Sequence, residues 1–392
     1  MTKIKLLYDI EQLLVSKGKE TGICRVSLEI LKRISKKEDY EVYPVVTVKK
    51  GNDPELYLEK KGLKNLIPNI VRMPYLKKTT QNYNLFKKFR CYFLIRKYKK
   101  EYLKILNQFD EYISLFSPIS PIVYKSRVKT KIIVYDLIPL IMPETCLQKK
   151  FVQKYNNWIK SIQADEVICI SKATKNDFFR YRPDYADKKT KIIYLAANEK
   201  FKPTNNIDIQ KRYNIPTEKY FLAVSDFNPR KNLIHSVKSF LQFLNQSDFH
   251  DVSLVLVGPK TSGFKILENY IKDINKYQDR IICTGFVADE DLPALYSRAM
   301  AFLYPSLYEG FGLPILEAMQ CGTPVITCRN SSLAEVGEDS ALYVSETDVS
   351  EMVLTLTDLY QNSEKRQELS QKGIQHAKRF NWDETVYQIF NQ

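Results

Sequence analysis

Histidine is almost missing from this chain. Three occur in 392 residues, His235, His250 and His376, and none lies in the first 234. A Ser-His-Asp triad, an H-E-x-x-H zinc site and a histidine general base from the N-terminal half are thereby excluded. Glycine is also scarce, with 12 residues and none between Gly62 and Gly258. The G-x-G-x-x-G dinucleotide fingerprint is absent, because Gly310-Phe-Gly312 meets Ile315 where the third glycine belongs. No G-x-x-x-x-G-K-[ST] phosphate loop occurs either. The seven cysteines (24, 91, 146, 169, 283, 321 and 328) form no C-x-x-C pair. That speaks against zinc knuckles and thioredoxin-like sites, and fits reduced thiols in a cytosolic protein. No apolar run reaches the roughly 18 residues of a membrane span. Asp9 and Glu11 interrupt the only hydrophobic start, so no signal peptide is expected. The expected location is cytoplasmic, with membrane contact only at the protein surface.

What is present is a basic, globular composition. Lysine and arginine exceed the acids for a net charge of +15, and 44% of residues are hydrophobic. The charge favours an anionic partner. Short apolar runs alternate with helix-period stretches, which predicts parallel sheets in an α/β fold. The predicted strands are 3–10, 42–48, 112–116, 131–138, 166–171 and 191–196, then 220–225, 253–258, 281–285, 300–305, 324–328 and 341–344. Many are wholly apolar, as strands buried on both faces are. Between the two series, Phe201-Lys-Pro-Thr-Asn-Asn reads as a linker.

The densest chemistry lies after the predicted strand at 300–305. Glu309 precedes Gly310-Phe311-Gly312-Leu313, and Pro314 suits the first turn of a helix that carries Glu317. The free N–H groups of residues 310–313 then stand at a helix N-terminus, where anionic or hydroxyl-rich ligands bind. Both carboxylates can face the crevice at the carboxyl end of a parallel sheet. A carboxylate accepts two hydrogen bonds from a vicinal diol, so the pair suits a sugar and a ribose. A second cluster, Ser225-Asp-Phe-Asn-Pro-Arg-Lys-Asn232, follows the first strand of the second series. Asn232 is placed as a helix N-cap. Arg230 and Lys231 can then neutralise a diphosphate, arginine as a fork and lysine as a point charge.

Together these motifs resemble glycosyltransferase family 4, a retaining family of the GT-B fold. The E-x7-E region from Glu309 to Glu317, the Pro-Arg-Lys-Asn loop, Leu-Val-Gly-Pro (256–259) and Thr-Gly-Phe-Val (284–287) carry the likeness. Weaker matches in the first half are Thr21-Gly-Ile-Cys-Arg25, Val134-Tyr-Asp-Leu-Ile-Pro and Ile168-Cys-Ile-Ser-Lys-Ala-Thr. The resemblance implies two Rossmann-like domains facing a central cleft. Residues 1–200 would form the acceptor side and 201–375 the donor side, with a helix in 376–392 returning toward the N-terminal domain. It implies that Glu317 binds ribose, that Glu309 and backbone 310–313 hold the donor sugar, and that Arg230 and Lys231 hold the diphosphate. Phe286 and Val287 would touch the base, and Gly22 and Arg25 would lie on the loop near donor or acceptor. Tyr135 stands where many relatives have a sugar-contacting histidine, a contact that the phenol or Asp136 would replace. Ser225 stands where some have another phosphate-binding arginine.

The implied reaction transfers a mannose or another hexose or deoxyhexose from a nucleotide-diphosphate sugar. The acceptor would be a growing glycan or lipid-linked oligosaccharide of O-antigen or capsule synthesis. The leaving phosphate would take the acceptor's proton, so no histidine base is needed. Asp289-Glu-Asp291 matches a metal-binding D-x-D pattern, but Asp289 reads as a helix N-cap, and neither metal nor other cofactor is expected. Residues 76–104 hold ten basic residues, one glutamate and seven aromatics. They suit either an anionic bilayer surface or a helix packed into the N-terminal domain. A nucleic-acid partner is not expected, since no zinc module or RNA-recognition signature occurs. A non-catalytic scaffold, a phosphorylase or a sugar-nucleotide epimerase of the same architecture are the alternatives.

Overall fold

The structure is a computed structural model that describes all residues except 1, 16–21, 49–52, 75–97, 147, 187–189, 207, 247–248, 250, 261–262, 275 and 392. It contains two wholly parallel sheets. The first has seven strands: β1 (Ile4–Asp9), β2 (Tyr40–Val48), β3 (Val71–Pro74), β4 (Glu111–Ser114), β5 (Lys129–Val134), β6 (Glu166–Cys169) and β7 (Thr190–Ile192). Their order is β3-β2-β1-β4-β5-β6-β7. The second has six: β8 (Lys219–Val224), β9 (Val252–Val257), β10 (Ile281–Gly285), β11 (Ala301–Tyr304), β12 (Val325–Thr327) and β13 (Leu342–Tyr343), in the order β10-β9-β8-β11-β12-β13.

Every predicted strand is present, and the central ones are apolar blocks that parallel sheets bury on both faces. Val252 and Leu254 to Leu256 of β9, and Ala301 to Leu303 of β11, are fully buried. The strand missing from the sequence reading is β3, whose four residues, Val-Arg-Met-Pro, carry no apolar block and pair only along the sheet edge. The segment 131–138 leaves the sheet at Val134, and Tyr135 to Leu137 lead into the short Ile138–Ile141 helix.

Strand order fixes the crevices. In the second sheet the order reverses between β8 and β11, so the loops leaving these two adjacent strands splay apart and form a switch-point crevice. In the first sheet the reversal lies between β1 and β4. The halves meet through one apolar cluster, in which the Phe311 ring lies 6.1 Å from Tyr194 and 6.1 Å from Phe380. The last helix, Trp382–Phe390, packs on the Gly22–Ile34 helix of the first half. Lys131 Nζ, buried with Glu111 at 3.0 Å, also donates to the Ile389 carbonyl at 3.2 Å.

Of the basic aromatic segment 76–104, residues 76–97 lie outside the described residues. Residues 98–106 are helical, and there Tyr102 is buried and donates to the Arg72 carbonyl at 2.7 Å. No helix of the described residues is long and apolar enough to cross a membrane.

Candidate active site

The switch-point crevice of the second sheet gathers the chemistry. The Pro229–Lys231 turn after β8 brings Arg230 and Lys231 against the loop after β11. Leu307 N donates to the Arg230 carbonyl at 2.8 Å, which ties the two loops together. Four donors converge on one oxygen, Glu309 Oε1: Lys231 Nζ at 2.6 Å, Ser306 Oγ at 2.7 Å, Arg230 Nη1 at 2.8 Å and Tyr304 OH at 2.9 Å. Tyr304 OH in turn accepts from Lys231 Nζ at 2.8 Å. Burial opposes ionisation of Glu309, but Lys231 and Arg230 outweigh it and pull the carboxyl down to about 2.

Arg230 and Lys231 do not stand free in solvent. They are packed at 13% and 12% exposure, with one carboxylate between them. Two cations face one fully ionised anion here. Asp136 reaches the same field from the other half, but burial raises its pKa against the pull of Arg230 and Lys231. Two cations and two carboxyl groups therefore share this pocket.

Beside this cluster, the backbone N–H groups of residues 310–313 have no hydrogen-bond acceptor among the described residues. The Ser332 hydroxyl lies between two neighbouring carbonyls, 2.9 Å from Glu309 O and 2.8 Å from Phe311 O. Gly312, at φ +110°, turns the chain into the Leu313–Gln320 helix, a conformation that favours glycine. Glu317, one turn on, accepts from Tyr296 OH at 3.2 Å. Burial raises its pKa, opposed by Arg25, Tyr296 and Lys200. It lines a cavity of about 170 Å³ between the halves, with Arg25, Lys200, Phe201, Asp289 and Leu313.

Other residues named from sequence fall differently. Arg25 does come to Glu317's cavity, and there it pairs with Asp289 at 2.6 Å. Asp289 is not a helix N-cap. That position belongs to Asp291, and Asp289 is held by Arg25 and by Lys200 at 2.9 Å, while Asp291 binds Arg212 at 2.6 Å and Tyr213 OH at 2.7 Å. Both carboxylates are spent on cations or hydroxyls. Asn232 occupies the N-cap position, but it is left-handed (φ 56°) and its amide donates to the Glu346 carbonyl at 2.9 Å instead of capping. Tyr135 turns its ring into the core beside Phe116, at 5.9 Å, and only its backbone faces the cleft. Val287 is buried, so of the expected pair only Phe286, 78% exposed, offers a side chain. Ser225 Oγ is buried without a hydrogen-bond partner, beside the loop that carries Arg230. Gly22 opens the Gly22–Ile34 helix with free space where a Cβ would stand.

Sequence reading missed the residues that fasten the cleft. All lie on or against the Lys172–Tyr181 helix of the first half. Glu335 accepts from Lys172 N at 2.9 Å and Ala173 N at 3.0 Å, so a carboxylate of one half caps a helix of the other. Thr174 Oγ1 lies 3.1 Å from the Tyr135 carbonyl and 3.2 Å from that of Gly310. Buried Asp177 accepts from Tyr308 OH, and the Tyr308 carbonyl accepts from Arg230. The partners that join the two halves, Glu335 with Lys172 and Ala173, Thr174 with Gly310 and Asp177 with Tyr308, stand 131 to 163 positions apart in sequence.

At Gly310 the two halves almost touch. A Cβ there would stand 2.3 Å from the Tyr135 carbonyl oxygen and 2.8 Å from Asp136 Cβ. Gly310→Ala is expected to force the cleft ajar and to lower kcat/KM by about 100-fold, the scale of a 1 Å misplacement. Steady-state kinetics on a folded variant check this. Unchanged kinetics would mean that this close approach is not the working geometry.

Comparison with known proteins now has a geometry to stand on. The chain superimposes over 99% of its length on the Anabaena protein Alr3699/HepE solved in complex with UDP, with a TM-score of 0.70, 18% identity and 98% of that chain covered. The fold is GT-B. Residues 205–376 of this GT-B chain match the family model of glycosyl transferases group 1, a span that contains both loops of the crevice. The chain is 30% identical over 227 residues to the Escherichia coli O-antigen chain mannosyltransferase B, covering 57% of this chain and 59% of that protein. It is 32% identical over 222 residues to the Salmonella typhimurium O-antigen chain mannosyltransferase RfbU, covering 55% and 57%. The chain thus spans less than two thirds of the length of these relatives.

Proposed function

We propose that the chain is a retaining, metal-independent hexosyltransferase of glycosyltransferase family 4. It would move mannose or a related sugar from a nucleotide-diphosphate donor to a growing glycan in cell-surface polysaccharide synthesis. The observation that carries this reading is the pairing of N–H groups at 310–313, without an acceptor among the described residues, with the two packed cations Arg230 and Lys231. The names of the mannosyltransferase relatives and the UDP bound by a structural neighbour support it.

In this reading residues 201–375 bind the donor and residues 1–200 the acceptor. Arg230 and Lys231 turn from Glu309 toward the diphosphate as it arrives, and they stabilise the charge that grows on the leaving phosphate. Glu309, released from part of this clamp, accepts sugar hydroxyls together with the loop N–H groups. Glu317 accepts from the ribose diol, with Phe286 near the base. The leaving phosphate oxygen takes the acceptor's proton on the same face, which conserves configuration.

A thermal-shift panel of nucleotide sugars and nucleoside diphosphates, without added metal, tests the assignment. One selective stabiliser is expected, and a flat response across the panel would refute it. Glu317→Ala should weaken nucleoside diphosphate binding by roughly 10–100-fold, the scale of lost hydrogen bonds to a charged acceptor. Equal affinity in the variant would contradict the ribose contact.

A further inference from the structure

A groove of about 540 Å³ lies outside the cleft, between the end of the Gly22–Ile34 helix and the Trp382–Phe390 helix, lined by Lys32, Arg33, Lys36, Lys37, Asp383 and Tyr387. Three carboxylates near it pair with one residue. Arg33 binds Glu29, Glu199 (2.5 Å) and Asp383 (3.1 Å). Lys32, Lys36 and Lys37 have no ion pair among the described residues. Lys37 instead lies over the ring of Tyr387, 5.4 Å from its centre, and Tyr387 is 54% exposed. Three ammonium groups therefore line one concavity without an ion-pair partner among the described residues, an arrangement whose self-repulsion an added anion would relieve.

We propose that this groove is a binding site for a clustered-phosphate anion of the diphosphate class, separate from the donor crevice. Three lysines supply up to nine N–H donors, enough for two adjacent phosphates, and ammonium groups bind phosphate as point charges. The site is concave, walled by two helices and an aromatic ring. That shape suits a discrete ligand and not the flat surface of a bilayer. Its place matters as well. Lys32 also lines the cavity that holds Glu317 and Arg25, and Arg33 ties the first helix both to Glu199 in the connection between the halves and to the last helix. An occupant would sit where the two halves are joined.

The experiment uses inorganic pyrophosphate and the full chain. Melting temperature and equilibrium binding are measured against sodium chloride of equal ionic strength. Wild-type protein and Lys231→Ala, which lacks a phosphate-binding group of the crevice, should both be stabilised. The triple variant Lys32→Gln, Lys36→Gln, Lys37→Gln should keep only the crevice response, and combined with Lys231→Ala it should lose the response and bind pyrophosphate about 100-fold more weakly. A response lost in Lys231→Ala but kept in the triple variant would place all binding in the crevice and overturn the proposal. So would the absence of any effect beyond matched salt. Vesicles containing phosphatidylglycerol complete the test. If they bind wild type but not the triple variant while pyrophosphate does nothing, the groove is a bilayer contact and the proposal fails. The proposal does not depend on the glycosyl-transfer reading, which the nucleotide panel tests separately.

Discussion

Lys231→Ala is expected to lower kcat by roughly 10² to 10³, the loss seen when one preorganised donor to a developing negative charge is removed. The structure sharpens why. Lys231 has two contacts in one place, Glu309 at 2.6 Å and Tyr304 OH at 2.8 Å. Its packed position means that the ammonium works with little water to screen it. Arg230, Tyr304 and Ser306 still hold Glu309 after the substitution, so the variant should fold and bind nucleotide while turning over slowly. Single-turnover kinetics with a donor from the nucleotide panel would separate the two steps. A rate close to wild type would remove Lys231 from the leaving-group role.

Glu309→Gln has the larger effect on stability. It leaves Arg230 and Lys231 packed together without their counter-charge, and breaking a buried ion pair costs about 3–5 kcal/mol. The pKa shift gives a similar figure. A carboxyl lowered from 4.5 to about 2 stabilises the fold by roughly 3 kcal/mol at neutral pH. Because the folded pKa is the lower one, this contribution is complete above the unfolded value and is lost as the pH falls through the folded one. Wild type should exceed the glutamine variant in stability at neutral pH, and the gap should close between pH 4.5 and 2. Asp136 and Glu317, which burial shifts upward, titrate in the opposite sense but are common to both proteins. Nucleoside diphosphate should rescue the variant more than it stabilises wild type, since it returns the missing negative charge. Denaturant unfolding across this pH range, with and without nucleotide, reads both effects. A gap independent of pH would show that Glu309 is not held as an anion by its two cations.

Much of the architecture was readable because parallel strands, buried on both faces, must be written as apolar blocks. Where a strand lies at an edge and needs no such block, as Val71–Pro74 does, the sequence is silent. The crevice was readable for a different reason. Glu309, Gly310, Gly312 and Glu317 are fixed by one local strand–loop–helix, so spacing alone sets their geometry. Arg230 and Lys231 were found as a motif, but their clamp on Glu309 was not, since it joins residues 78 or more positions apart. The same limit hid Asp177, Thr174 and Glu335, which act only once the halves are folded together. Tyr135 and Val287 mark the converse limit. Their positions at strand ends were clear, yet packing decided that their side chains face the core.

The double connection between the halves has a mechanical consequence. The chain passes from the first half to the second after Ile192, and it returns between Ala377 and Trp382. The two passages lie against each other, with Thr385 Oγ1 donating to the Tyr194 carbonyl at 2.8 Å and the rings of Tyr194 and Phe380 5.8 Å apart. Two tethers side by side act as the spine of a book, leaving rotation about one line as the easy motion and resisting twist. Phe311 rests against this spine, so the loop at 310–313 travels little while the outer rims swing. A single methyl group wedged in at Gly310 works on the short arm of that lever, and its displacement is magnified at the mouth.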